Sequence, residues 1–272
     1  LLIYMIIRNK TNTIFEVYLN TERLELVPQY EHNAKWFLPN AKIIENIDDS
    51  TYNFYGSIKT PRYAKILINR VIYDTIYMTI SGLNINYPLV FFNEDGDPVH
   101  EVQKDVEIFV PAYHSNIQNR STIIWPIDKF RGKISSGKPV SHETQSSIPI
   151  LRSGEIKLYQ QSFFNSGIYL AGQFELELGD ELVINEPQSS ASGLIAINEN
   201  PNMSVTYRLK GKGATIIKPG LDERKINASI LNRVLSDKFF ILLSLLTGGL
   251  IAILAILTFI IDYSLFHQSF KK

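Results

Sequence analysis

The sequence predicts a mainly β protein. It reads as one antiparallel β-sandwich, or two small β subdomains, followed by a juxtamembrane amphipathic helix and a C-terminal transmembrane helix. Short runs of β-formers with period-two alternation recur between residues 14 and 209, separated by turn-forming residues. No strand–helix alternation interrupts them, so a parallel nucleotide-binding sheet is not expected. Near the C-terminus, Phe239 to Ile261 forms a stretch of 23 residues without a charge.

Taken in order, Ile14–Val27 alternates in two pieces around Asn20-Thr21, and Ala64–Ile80 is rich in Ile, Val, Tyr and Thr. Leu89–Phe92 and Val106–Val110 flank the turn signal Asp95-Gly96-Asp97-Pro98. Thr122–Ile127, Glu155–Gln160, Gly172–Leu178, Glu181–Glu186, Leu194–Asn198 and Ser204–Leu209 follow. Their separators are Ser153-Gly154, Gly179-Asp180, Pro187–Ser192 and Asn198–Asn202. Gly179-Asp180 carries a two-residue hairpin signal. About ten such strands with turns between them predict a sandwich or barrel. Arg131–Ser153 is rich in Gly, Ser, Lys and Pro. It reads as a loop within one sandwich or as a linker between subdomains near residues 130–150.

At about 1.5 Å per residue, the helix 239–261 is about 34 Å long, enough to cross a hydrocarbon layer of about 30 Å. Ser244, Gly248 and Ala252 recur every four residues along it and predict close packing against another helix. Before it, residues 222–238 place Ile226, Ile230, Leu231, Val234 and Leu235 at helical spacing, with Asp222 as a cap. Ile226, Ile230, Val234 and Lys238 are therefore expected at the membrane interface. Residues 1–7 (Leu-Leu-Ile-Tyr-Met-Ile-Ile) read as the end of an N-terminal transmembrane or signal segment, with an edge strand as the alternative. Residues 8–221 form the β domain and 262–272 a short polar tail. The cationic residues beside the spans are Arg8, Lys10, Arg224, Lys225, Arg233 and Lys238 on the domain side, against Lys271 and Lys272. That count favours a cytoplasmic domain. Large domains translocate regardless of charge, and an extracytoplasmic (periplasmic) domain is the expectation adopted here.

Composition excludes several classes of function. Lys+Arg and Asp+Glu are both 27, and the net charge is zero. Without the six basic and four acidic residues of 222–272, the remainder holds 21 against 23, about −2. A nucleic-acid partner is not expected, since it needs a basic face. The absence of cysteine removes disulfides, thiolate catalysis and Cys-ligated zinc.

No motif supplies catalysis. Asn93-Glu94-Asp95-Gly96-Asp97 is acidic, but position 12 counted from Asn93 is Lys104 rather than the Glu of a calcium loop, so a solvated hairpin tip is expected. His32, His100, His114, His142 and His267 show no metal-ligand spacing. No G-x-S-x-G elbow is present, and Gly211-Lys212-Gly213 lacks the rest of a phosphate loop. Glu175 and Glu177 read as exposed strand positions rather than a catalytic pair. Tyr52, Phe54, Tyr55, Tyr63, Tyr73, Tyr77, Tyr87, Phe91 and Phe92 crowd one stretch. Core packing is expected for most of them, with one or two exposed.

The expected function is that of a non-enzymatic, membrane-anchored subunit of a membrane protein complex, presenting its β domain beside the bilayer for protein–protein interaction. Other membrane subunits, a second copy of the chain and the lipid itself are the expected partners, and no cofactor is expected. The alternatives are a glycan- or envelope-polymer-binding module and a membrane-bound hydrolase with a site assembled only in three dimensions. An aromatic groove would favour the first of these, and a pocket of clustered histidine or acids the second.

Overall fold

The computed structural model describes residues 13–30, 34–45, 50–72, 75–111, 122–137, 150–161, 167–184, 190–197, 202–211, 213–219, 223–226 and 238–269. The strands in the first half are β1 (Thr13–Thr21), β2 (Arg23–Pro28), β3 (Lys35–Glu45), β4 (Ser50–Lys59), β5 (Lys65–Ile72), β6 (Thr75–Ser81), β7 (Leu89–Phe92), β8 (Pro98–Val102) and β9 (Val106–Pro111). The second half adds β10 (Ile123–Phe130), β11 (Gly132–Ser136), β12 (Leu151–Gln161), β13 (Ile168–Leu176), β14 (Glu181–Ile184), β15 (Ala191–Ile197), β16 (Met203–Gly211), β17 (Ala214–Ile217) and β18 (Arg224–Ile226). A single helix, α1 (Lys238–Ser269), ends the described chain. The protein is thus mainly β, with one apolar C-terminal helix.

The strands form two antiparallel sheets. The small one runs β10-β15-β16-β1-β12-β13, and the large one β18-β17-β14-β11-β2-β5-β6-β9-β3-β4-β7-β8. Alternation decides which side chains go inside. In β1, Phe15, Val17 and Leu19 are buried, while Tyr18 and Asn20 face out. In β6, Ile76, Met78 and Ile80 are fully buried between half-exposed neighbours. One cluster of buried apolar residues draws on both sheets.

Four times the chain leaves the small sheet and enters the large one within a few residues. The passages are at Glu22, at Arg131, over 177–180, and between Gly211 and Ala214. Strands that switch sheets at a bend make such corners. The corner at Glu22 needs buried hydrogen bonds, because the turning backbone leaves the ladder. Glu22 N–H donates to Ile150 O (2.9 Å), its carbonyl accepts from Arg70 N (2.8 Å), and its carboxylate accepts from Ile150 N (3.1 Å) and from Arg152.

Two indoles join the sheets. Trp36 of β3 and Trp125 of β10 are buried and stacked, with ring centroids 5.4 Å apart and planes 14° from parallel. Trp125 donates to the carbonyl of Phe37 (2.8 Å) and Trp36 to that of Pro126 (2.9 Å). Both carbonyls lie where the ladders run out. β9 pairs with β3 only over Lys42–Glu45, and β10 is an edge strand. Each indole N–H thus supplies a donor that no neighbouring strand provides.

Several sequence expectations are corrected here. Gly179-Asp180 does not close a hairpin, because β13 lies in the small sheet and β14 in the large one. The segment is a corner, with Gly179 at φ 84° and the buried Asp180 carboxylate accepting from Glu177 N (2.9 Å). Ser153-Gly154 is no separator. It lies inside β12, where Gly154 is extended between Leu19 and Leu176, and a Cβ there would meet Leu19 Cδ2 at 2.7 Å. Within the Gly- and Ser-rich stretch 131–153, Gly132–Ser136 is a strand inside the large sheet between β2 and β14. The helix expected over 222–238 does not begin at its start. Arg224–Ile226 is the edge strand β18, and Ile226, expected at the membrane interface, is 1% exposed in the core beside Ala214. Its apolar side chain gains more from the sheet's interior than from an interfacial position. Residues 1–7, Ile230 and Val234 lie outside the described residues.

Candidate functional site

Three surfaces and one cluster concentrate chemistry. The first surface is α1. Its segment Ile241–Ile261 is long and apolar enough to cross a membrane, and none of it is buried against the rest of the protein. Thr247 and Thr258 turn their hydroxyls back to the helix, donating to Leu243 O (3.0 Å) and Ala255 O (2.8 Å). That satisfies them without water, as lipid requires. Ser244, Gly248 and Ala252 lie on this exposed segment, and a Cβ built on Gly248 would meet nothing within 4 Å. Lys238 is exposed at the first position of the helix.

The second surface is the outer face of the small sheet, where register places polar and aromatic residues in rows. One row reads Leu194, Thr206, Tyr18, Glu155, Glu175, and the next Ser192, Arg208, Glu16, Lys157, Gln173. Hydrogen bonding to Glu16, then burial and the Glu16 charge, raises the phenols of Tyr18 and Tyr159 above their ordinary value. Lys157 sits 3.1 Å from Glu155 and lies over the Tyr18 ring at 5.3 Å. Exposed Ile124 and Leu194 border one side of this face, and Ile168 and Leu170 occupy the edge strand β13 on the other. Of the two acids noted in the sequence, Glu175 stands in this face opposite Glu155, whereas Glu177 lies beyond the strand and pairs with Lys218 at 3.0 Å.

The third surface is a cleft of about 350 Å³ beside the end of β4, lined by residues of 59–62 and 86–90.

The cluster was not legible in the sequence. Glu45 Oε1 accepts from the Tyr52 hydroxyl (3.0 Å) and lies 2.8 Å from His100 Nε2. Burial, and after it the hydrogen bond and charge of Glu45, pushes the Tyr52 phenol well up. The Tyr52 and His100 rings meet edge to face at 5.7 Å. These contacts tie β8, the last strand of the large sheet, to the end of β3. No spacing pattern announces them, since strand pairing brings together residues 55 apart.

Asn93–Asp97 forms the tip between paired β7 and β8. Asn93 Oδ1 accepts from Asp97 N (2.8 Å), and Gly96 adopts φ 87°. No group of three or more His, Cys, Asp or Glu side chains that could hold a metal occurs among the described residues. The crowded aromatics divide. Phe91 is buried, Tyr52 and Phe54 pack against the core, and Tyr55 and Tyr63 are exposed. Tyr77, Tyr87 and Phe92 are half-buried, a wetter disposition than expected, because most occupy the outward positions of their strands. Tyr73 lies outside the described residues.

No protein-family model matches the chain, and a search of curated proteins finds no match either. Function must be argued from these surfaces.

Proposed function

We propose that the chain is a non-enzymatic, membrane-anchored subunit of a membrane protein complex, with a sandwich-like β domain held close to the bilayer as a docking platform. The supporting observation is the helix. Every side chain described between Ile241 and Ile261 is exposed, and so much apolar surface needs lipid or another helix. Eleven residues, 227–237, separate Ile226 in the core from Lys238, a tether of at most about 40 Å when fully extended. The domain therefore stays beside the membrane on the side that 262–272 does not occupy, taken here as extracytoplasmic. In lipid, attraction between helices comes from close approach. The open Gly248, with Ser244 and Ala252 a turn either side, is the surface proposed to meet a partner helix from another subunit or a second copy. The outer face of the small sheet, with its tyrosines and exposed aliphatic borders, is the proposed docking face. A glycan- or envelope-polymer-binding module is a second reading, favoured by the cleft beside Tyr87.

The test uses the full chain in its native membrane. It should resist alkaline extraction and, in mild detergent, migrate larger than one chain in a micelle. Gly248→Leu should reduce that size without affecting insertion. Release at alkaline pH would remove the anchor, and an unchanged size would remove the helix face from the docking surface.

A further inference from the structure

The chain leaves the β domain at one definite end of the large sheet. Register places Ile226 of β18 opposite Ala214 of β17, Ile184 of β14 opposite Ile134 of β11, Gly132 of β11 opposite Pro28 of β2, and Lys65 of β5 opposite Ser81 of β6. These strands are antiparallel throughout, so Ile226, Ile184, Gly132, Pro28, Lys65 and Ser81 mark the same rim. Thr13, the first residue of β1, stands opposite Gly211, from which the chain passes into Ala214 at that rim. The described domain is therefore entered and left at one end. Both apolar segments of the sequence attach there, Leu1–Ile7 through residues 8–12 and α1 through residues 227–237.

The turns on this rim present apolar side chains outwards. Tyr30 follows β2, Tyr63 comes just before β5, and Ile85 follows β6; they are 56%, 56% and 74% exposed. Hydrogen bonds fix all three turns. Gln29 N donates to Arg131 O (2.7 Å), Tyr63 N to Pro28 O (2.7 Å) and Gly82 N to the Asp105 carboxylate (2.9 Å). The Asn84 side-chain oxygen accepts from Asn86 N (3.0 Å) and Tyr87 N (3.2 Å). The Tyr63 ring meets Tyr87 edge to face at 5.4 Å, and the Arg131 guanidinium lies 5.6 Å above the Tyr30 ring. In the described turns at the opposite end of the large sheet, at Glu22, Gly137 and 177–180, Leu178 is the one exposed large apolar residue.

This distribution matches an interface between water and lipid. A tyrosine has an apolar ring and a polar tip, and sits at the level of the headgroups. An isoleucine has no polar side-chain atom and gains from the acyl boundary just below. The chain's zero net charge supplies no long-range field towards anionic lipid, so the attraction rests on apolar and aromatic contact. The geometry allows it. β5 lies five strands from β18, about 24 Å at about 4.8 Å per strand, so Tyr63 and the exit at Ile226 fit over one patch of bilayer.

We propose that this rim rests on the bilayer, with Tyr30 and Tyr63 among the headgroups and Ile85 at the acyl boundary. The domain then stands end-on, and the outer face of its small sheet remains open to a protein partner. The inference rests on the membrane-anchored reading above and adds a lipid-contacting surface to it.

The chain has no cysteine, so single cysteines can be labelled without background. The test places an environment-sensitive fluorophore at Tyr30→Cys, Ile85→Cys, Leu178→Cys and Leu250→Cys in the full chain, reconstituted in phosphatidylcholine vesicles containing nitroxide-labelled lipid. Leu250 is in the middle of the span, about 200° around the helix from Gly248. Each rim variant keeps the other rim side chains, and circular dichroism matching the unsubstituted chain establishes its fold. The Tyr30 and Ile85 labels should be quenched by a shallow nitroxide about threefold or more beyond the Leu178 label, as expected for groups about 5–10 Å into the interface. The Leu250 label should be quenched by a deep nitroxide. Quenching at Leu250 with none at Tyr30 and Ile85 would overturn the rim contact and leave the anchor standing. No quenching at Leu250 would overturn the anchored reading and the rim contact with it. Equal quenching at Leu178 would overturn the end-on orientation. Rim labels shielded from aqueous iodide yet untouched by the nitroxide would assign the rim to a second copy of the chain and overturn the lipid.

Discussion

Replacing Trp125 with phenylalanine cuts one of the two indole links between the sheets while keeping an aromatic ring in place. The carbonyl of Phe37, now held at 2.8 Å by the indole, would lose its donor in a partly buried setting. An acceptor stranded in this way costs about 1–3 kcal/mol. The smaller ring also loses part of the stack with Trp36, now 5.4 Å between centroids, and stacked pairs contribute about 0.5–1.5 kcal/mol beyond the area they bury. A total near 3 kcal/mol is expected, against a typical domain stability of about 5–15 kcal/mol. With a urea dependence near 3 kcal/mol per molar, the midpoint should fall by about 1 M. The chain has only two tryptophans, so each single variant keeps one as its fluorescence probe. The assay is urea titration of the detergent-solubilised chain for Trp36→Phe, Trp125→Phe and the double variant, with circular dichroism as the common signal. Because the rings touch, the double variant should be less costly than the two singles together by about 0.5–1.5 kcal/mol. Additivity within about 0.3 kcal/mol would refute the coupling of the sheets through the stack. A midpoint unchanged in Trp125→Phe would refute the role given to its hydrogen bond.

Alkaline pH provides another test. Burial raises the phenols of Tyr207 and Tyr52, the second helped by Glu45, so the unfolded chain releases these protons first. Their contribution is intact below the ordinary tyrosine value of about 10 and declines as pH rises above it, by up to about 1.4 kcal/mol per pH unit for each. Thermal melts from pH 9 upward should show this fall, and Tyr52→Phe with Tyr207→Phe should flatten it. At neutral pH, Tyr207→Phe should be neutral or stabilising by about 1 kcal/mol, since the buried hydroxyl has no hydrogen-bond partner among the described residues. Gly193→Ala should lower the urea midpoint more than either tryptophan variant, because a Cβ there would stand 2.0 Å from Thr206 O and 2.5 Å from Tyr207 Cα.

What could be read in advance follows the physics of alternation. β1, β6, β9 and β16 have a dry face and a wet face, so their period-two pattern is plain in the sequence. β8 (Pro98–Val102) is exposed at four of five positions and therefore shows no apolar period. β11 (Gly132–Ser136) packs buried serines and glycine into a strand, a composition that reads as a loop. The corners are hidden for another reason. A turn such as Glu177–Asp180 has the same residue chemistry whether it folds a strand back on its own sheet or sends it to the next one. The helix was legible because 23 uncharged residues in a row have few other uses. The Glu45–Tyr52–His100 cluster and the cleft were not, since each depends on pairings across the large sheet that sequence spacing does not encode.

The way β18 ends the domain has a mechanical consequence. β17 and β18 form an antiparallel pair of only three register partners, with Ile226 beside Ala214 at the open end. The chain runs on towards α1 from that end, and the rest of the domain joins β17 there too. A pull on α1 against the domain, as the proposed membrane anchoring would exert, would therefore open the pair like a zip, one contact at a time, beginning by drawing Ile226 from the core at about 1.5–3 kcal/mol. Each residue released lengthens the leash by about 3.5 Å, while β17 stays held by β14. The junction yields first and spares the sheets behind it.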